Sequence, residues 1–423
     1  MRLRLVVLAM MLASPALAAQ KSAPVPKRPV LPMSADTNDA AAYYQYGLRM
    51  VDSKPDESIR AFYWASQIDP TSGEVLYALR TATLLNMSMS DMESYFDHSD
   101  KKRSPGNLAL DSLLYRAYTV NPFLFRNIDG ALIKRLIEAE VVDENPGIDR
   151  AELNFYLLQY MHDVRHEGSM AYSQGRFPEA LDFYAQQLKT LEAKKKKRKK
   201  SYDDDASEIH AERARIFYLI GNMDSALTEM TTAMTEMRAR DVKETVVLYE
   251  SKAMYEQALG MIHEHAKHPD QAREAYGQAL VEDLSYYAAH SHMAELELAA
   301  GDTAGAVTEL DLAIQLQPND PALRYAYAKA LVGARRDGDA ASQLLKASEL
   351  DPYYAPPHLL LARIADAERY TDDAVTQYQQ YAATAAKGDP ELPIARARLA
   401  TLTSTVAATP ATPAAAPAAT PNP

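Results

Sequence analysis

The chain has 423 residues, with 57 acidic against 45 basic side chains, a formal net charge of −12 and no cysteine. The missing thiols exclude a disulfide framework, a thiolate metal site and a lipid-modified cysteine. The negative charge opposes general binding of nucleic acid or anionic lipid, because long-range attraction then has the wrong sign.

At the N-terminus Arg2 and Arg4 precede an apolar run, Leu5 to Leu12, and Ala16 and Ala18 follow at the spacing of an A-x-A cleavage site. This pattern predicts a cleavable signal peptide over residues 1–18, and so a periplasmic or secreted protein of bacterial type. The run is too short for a bilayer span, which needs roughly 20 residues, and no other run in the chain approaches that length. Residues 19–38 are rich in proline, lack an apolar period and are expected to act as a linker.

From residue 39 the pattern becomes helical. "SIRAFYWASQIDP", Ser58 to Pro70, places Phe62, Ala65 and Pro70 along one amphipathic helix, with Gly47 in the helix before it. "LALDSLLYRAYTVNP", Leu108 to Pro122, is a weaker copy. Helices are expected up to residue 150 without a repeat assignment over 71–157, and Asp149 with Glu152 forms an N-cap pattern. Over 151–252, Ala180 with Tyr184 and Gly221 with Ala226, Met230 and Ala233 repeat the theme. Here the steps Ala180 to Ala226 and Ala226 to Ala272 are both 46 residues. Met223, Met230, Met234 and Met237 fall on one face and are read as core filling.

Over 253–400 the period is strict. Ala272, Ala306, Ala340 and Ala374 are 34 residues apart. Ala279, Ala313 and Ala347 follow each small residue, with Tyr381 the exception, and Pro318 and Pro352 stand at helix ends. Leu323, Tyr327, Ala330 and Leu331 show the three- and four-residue apolar spacing of a helix. Gly301 and Gly338 are expected in the turns. Residues 401–423 form an Ala/Pro/Thr-rich tail whose composition predicts disorder.

A fixed 34-residue period with small residues at these offsets resembles the tetratricopeptide repeat. The resemblance is carried by residues 160–385 and again by 40–70. It implies an all-α fold, a right-handed superhelical solenoid of antiparallel helix pairs, with degenerate units over 39–150. The steps of 46 residues are read as lengthened helices, in which Lys194–Lys200 end one helix and Asp203 to Asp205 open the next. The resemblance further implies a non-catalytic scaffold that binds a protein or peptide along a concave groove, in envelope assembly or secretion. Carried over unit by unit, the groove positions include Arg165, Tyr172, Arg215, Gln257, His265, Glu295, Tyr325, Lys329 and Arg363, with Ser169, Met261, Ser291 and Leu359 between them. Arg215, Lys329 and Arg363 occupy equivalent places, which suggests an acidic or carboxylate-bearing ligand.

Other chemistries are thinly represented. His162 and His166 stand at i and i+4 with Asp163 between, a spacing that would suit zinc in a metal-dependent hydrolase. The third ligand is missing, and Asp replaces the usual Glu. His263, His265 and His268 cluster at the end of a helix, where the dipole also favours cations. No G-x-S-x-G, P-loop or G-x-G-x-x-G motif occurs, so neither catalysis nor a cofactor is expected. Lys194–Lys200 offer an anionic-surface or nucleic-acid contact as the alternative to a helix-end role.

Overall fold

The computed structural model describes residues 25–96, 104–145, 147–148, 152–153, 164–195, 203–243 and 251–408. Among these residues there are helices and no strand. The N-terminal region comprises α1 (Ala40–Met50), α2 (Pro55–Ile68), α3 (Gly73–Leu85), α4 (Met89–Phe96), α5 (Pro105–Val120) and α6 (Asp129–Glu144). The array begins with α7 (Val164–Ser173), α8 (Phe177–Lys195), α9 (Asp203–Leu219) and α10 (Met223–Lys243). It continues with α11 (Ala253–His265), α12 (Pro269–Glu282), α13 (Tyr287–Ala300), α14 (Thr303–Leu316), α15 (Pro321–Gly333) and α16 (Asp337–Leu350). It closes with α17 (Pro356–Ala367), α18 (Thr371–Thr384) and α19 (Leu392–Ala408).

Local chemistry sets where these helices start. Asp39, Ser72, Ser104, Asp302 and Asp320 each accept a backbone N–H of the following turn, the role for which short polar side chains are favoured. Pro55, Pro105, Pro269, Pro321 and Pro356 sit in first turns, where a missing N–H is harmless.

Neighbouring helices pack as pairs: α1 with α2, α3 with α5, then α7/α8, α9/α10, α11/α12, α13/α14, α15/α16 and α17/α18. Successive pairs also touch, and α19 covers the last one. The result is a helical solenoid of tetratricopeptide type, as the period implies. Ala180, Ala226, Ala272, Ala306, Ala340 and Ala374 are all fully buried, which is why the offset tolerates only a small side chain. At Gly47, Gly168 and Gly260 an added Cβ would press on the rings of Phe62, Tyr184 and Tyr276 respectively. Glycine there lets the ring of the second helix lie on the backbone of the first.

The turn inside each array unit needs one residue in the left-handed region. Gly175, Gly221, Lys267, Gly301, Arg335 and Arg369 supply it, all with positive φ. Gly301 therefore behaves as expected. Gly338 does not: it lies inside α16, and its unit turns on Arg335, which is 34 residues beyond Gly301.

The helix lengthening is present. α8 has 19 residues and α10 has 21, against 14 in each of α12, α14, α16 and α18. α8 ends at Lys195 and α9 begins at Asp203; the rest of the Lys/Arg run lies outside the described residues. Met230, Met234 and Met237, on α10, are buried where it packs on α9. Asp149, the leader 1–18 and residues 409–423 also lie outside the description.

Two segments read as spacers do more than connect. Leu31 is buried, the Pro26 carbonyl accepts from Trp64 Nε1 at 2.9 Å, and Asp36 accepts from the Lys387 backbone N–H. At the other end α19 continues past Thr401 to Ala408, with Leu402 buried, because its apolar side still has α18 to cover. No helix among the described residues is long and apolar enough to cross a membrane.

Candidate functional site

The first helices of the array, α7, α9, α11, α13, α15 and α17, present the face on which the groove positions were expected. In the regular part these positions form two rows one helical turn apart. Gln257, Ser291, Tyr325 and Leu359 make one row, Met261, Glu295, Lys329 and Arg363 the other, each with a 34-residue step.

The chain itself covers part of this face. The Gln257 amide donates to the Thr119 carbonyl at 2.8 Å, Arg215 Nε to the Pro122 carbonyl at 3.3 Å, and the Tyr172 hydroxyl to the Leu124 carbonyl at 2.9 Å. Thr119 belongs to the last turn of α5, where carbonyls lack intrahelical partners. Three consecutive first helices, α7, α9 and α11, thus each supply one donor to a helix end and the turn after it. Aromatic contacts follow the same line: Phe123 stacks on Tyr218 with centroids 3.9 Å apart, and Tyr115 meets Tyr286 edge-on at 6.5 Å. Tyr325 packs in the cluster that Tyr115 joins.

Beneath the carbonyl contacts lies a buried ion network that the sequence did not disclose. Arg126 Nη2 donates to Glu212 at 2.8 Å, Arg126 Nη1 to the Tyr118 hydroxyl at 2.9 Å, and Tyr77 donates to Asp129 at 2.7 Å. Arg126 Nε lies 3.1 Å from Asp129, and Arg215 Nη1 lies 2.5 Å from Glu212. Both of these nitrogens approach off the N–H axis, so they are charge contacts without a proper hydrogen bond. Burial works to raise the Glu212 carboxyl, but the Arg126 and Arg215 guanidiniums outweigh it and hold it at about 2. At Asp129 burial wins and the carboxyl is pushed above its usual range despite Arg126. Arg126 and Asp129 were missed because they lie in the stretch with no repeat assignment, where no periodic signal marks them.

The three aligned cations are therefore not equally free. Arg215 is buried with Glu212, and Arg363 pairs with Glu391 at the start of α19. Lys329 is exposed, makes no ion pair among the described residues and lies 5.8 Å from the Tyr325 ring. His292, whose Nδ1 lies 3.6 Å from the carboxylate, and then the charge of Lys329 hold the Glu295 carboxyl below its usual range. His265 bonds to the Met261 carbonyl and to the Tyr218 hydroxyl, both at 3.0 Å. The side chains of Arg165 and His166, and the whole of His162, lie outside the described residues.

One group of described residues can be weighed as a cation site: Glu264, His292 and Glu295, whose ligand atoms lie within 4.8 Å of one another. Gln257 decides its character. The Gln257 amide nitrogen donates to Thr119, as above, and faces His292 Nε2 at 3.2 Å, while its oxygen accepts from Tyr286. An amide nitrogen can only donate, so His292 Nε2 accepts and the ring proton sits on Nδ1, towards the two glutamates. A protonated nitrogen is no metal ligand, so the arrangement is a polar cluster. His263, His265 and His268 are likewise not gathered around one point: His263 is desolvated, which lowers its pKa, and its ring centroid lies 6.1 Å from that of His268.

At the far rim Arg28 lies between Trp64 and Tyr353, at 4.2 and 4.9 Å from their centroids, and Asn38 donates to the Ala383 and Ala385 carbonyls. Here Asp351 is 3% exposed, and burial, against the backbone N–H groups of Tyr353 and Tyr354, pushes its carboxyl up to about 7. A raised folded-state value stabilises fully below the unfolded value and is lost as pH rises through the folded one. Wild-type stability should therefore fall between about pH 4 and pH 7, by up to about 4 kcal/mol at 1.36 kcal/mol per unit. Asp351→Asn should flatten that slope in urea denaturation; an unchanged slope would remove Asp351 as its source.

No family model matches the sequence, and no curated protein does. Solved structures that it resembles include the C-terminal part of a TPR repeat-containing protein from Cytophaga hutchinsonii, at 20% identity and a TM-score of 0.45 over 58% of this chain and 89% of that one. PilF of Pseudomonas aeruginosa aligns at 17% identity and a TM-score of 0.41, over 49% of this chain and 88% of that one. YrrB, described as a TPR protein with an unusual peptide-binding site, aligns at 15% identity and a TM-score of 0.36, over 45% and 91%. On the pairing and period of its own helices, the chain has a tetratricopeptide-like fold.

Proposed function

We infer that the protein is an exported, non-catalytic scaffold that binds a partner protein or peptide in the cell envelope. The observation that carries this reading is the row Glu295, Lys329 and Arg363, exposed side chains at one position of three successive units. A repeated, solvated position on stacked first helices suits recognition along an extended partner. Export rests on the cationic, apolar and A-x-A pattern of residues 1–18. An acidic element in the partner is supported by Lys329, the one of the three aligned cations without an ion pair among the described residues.

Crosslinking and capture from the envelope fraction test the reading. Lys329→Glu with Arg363→Glu should lose one specific partner that the wild type retains. Equal recovery of every partner by both proteins would remove this row from the binding surface.

A further inference from the structure

We propose that the donors Tyr172, Arg215 and Gln257 form a peptide-binding site whose occupant, residues 115–126 of the same chain, is exchangeable. The site takes a segment that ends a helix and turns out of it through aromatic residues, and a partner carrying such a segment displaces the N-terminal region. The inference deepens the binding reading above but uses a different part of the surface.

Three observations support exchange. First, the contacts are those of a ligand: the array reads backbone carbonyls of Thr119, Pro122 and Leu124, one donor from each of α7, α9 and α11. The Thr119 carbonyl is open because α5 stops at Val120, as at any helix end, and the Pro122 and Leu124 carbonyls belong to the turn after it. The aromatic pockets add side-chain selection, with Phe123 on Tyr218 and Tyr115 on Tyr286.

Second, few helices pack along one another across the seam, which is held instead by the segment itself, with Phe123 seated in the core of α9, α10 and α11. Helices α1 to α5 pack on one another, and α7 to α19 pack on one another, but no helix of the first group packs extensively along one of the second. Among the described helices α6 makes the extended bridge, touching α3 and α7. Extensive helix-on-helix packing, which holds every unit together, is therefore not what seats the segment among the described residues.

Third, the centre of the seam is ionic. Arg126, Asp129, Glu212 and Arg215 meet there with Tyr77 and Tyr118. A buried ion pair is weak evidence of net stability, because desolvation offsets the attraction. At the rim the attachment consists of Asn38 on two carbonyls, Asp36 on the Lys387 N–H and the Arg28 stack. The hydrogen bonds among these are clips that water can replace, beside the edge-on contact of Trp64 with Tyr353.

The test uses the full chain and a labelled synthetic peptide of residues 111–126. Arg126→Ala with Tyr118→Ala releases the internal segment while leaving all three donors in place. Because apparent affinity falls with the fraction of competent chain, the released chain should bind the peptide at least about tenfold more tightly than wild type. Adding Gln257→Leu and Tyr172→Phe to it should abolish that gain. The chain has no cysteine, so Asn38→Cys and Lys387→Cys can be bridged by a short bis-maleimide, and the bridged chain should bind least. Amide exchange over α13 to α18 reports whether the array stays folded. If it does not, Asp36→Ala with Asn38→Ala opens the rim and carries the same comparison. Equal binding to wild type and released chain overturns the proposal, as does binding that ignores loss of the two donors or accepts a scrambled peptide equally. Partner capture through Lys329 and Arg363 is read separately, so failure of one reading leaves the other standing.

Discussion

Arg126→Met should weaken the seam between the N-terminal region and the array by about 3–5 kcal/mol, the usual cost of removing one partner from a buried ion pair. Arg126 is 5% exposed and joins three groups, Tyr118, Asp129 and Glu212. Glu212 would keep Arg215, whereas Asp129 would retain only the Tyr77 hydroxyl among the partners described above. Methionine fills similar volume, so the loss is electrostatic and not a cavity effect. The measurement is amide-exchange protection in α5, which should fall while that in α13 to α18 stays. Arg126→Lys should recover little, since an ammonium cannot reproduce the planar fork that reaches all three partners. A change below about 1 kcal/mol, the scale of an exposed pair, would show that the network does not hold the seam. Glu212 adds a sign in pH. Its depressed value contributes stability above the unfolded carboxyl range, lost as pH falls towards 2. Asp351, outside this network, has the opposite sign.

Gly260→Ala and Gly277→Ala should have opposite effects, although the two glycines lie in paired helices, α11 and α12. A Cβ at Gly260 would collide with Cε1 of Tyr276, a fully buried ring. The ring or the helix must move, and overpacking of that kind costs about 1–3 kcal/mol. At Gly277 nothing lies within 4 Å of the added carbon. There alanine relieves the backbone entropy of a mid-helix glycine and should stabilise by about 0.8–1.0 kcal/mol. Urea denaturation of both variants checks the pair, and equal signs would refute the close approach of Tyr276 to α11.

The array was legible because its information is local and repeated. Ala272, Ala306, Ala340 and Ala374 recur every 34 residues, since each unit solves the same packing problem against an identical neighbour. The two steps of 46 residues announced lengthened helices, and α8 and α10 are lengthened. Tyr172, Arg215 and Gln257 were assigned to first helices, and α7, α9 and α11 carry them.

What covers that face was not legible. Residues 115–126 meet α7, α9 and α11 across 48 to 138 positions of chain, and no period connects such distant segments. Arg126, Asp129 and Glu212 look in sequence like ordinary solvated charges; only the tertiary seam buries them together and sets their ionisation. The linker shows the same division, since proline-rich composition says that residues 25–38 cannot build a core of their own but not that Trp64 and Tyr353 wait to receive Arg28. Helix, pair and period follow from side-chain size and spacing along the chain. The occupant of the face follows from long-range contacts between unlike segments, which only the folded chain brings together.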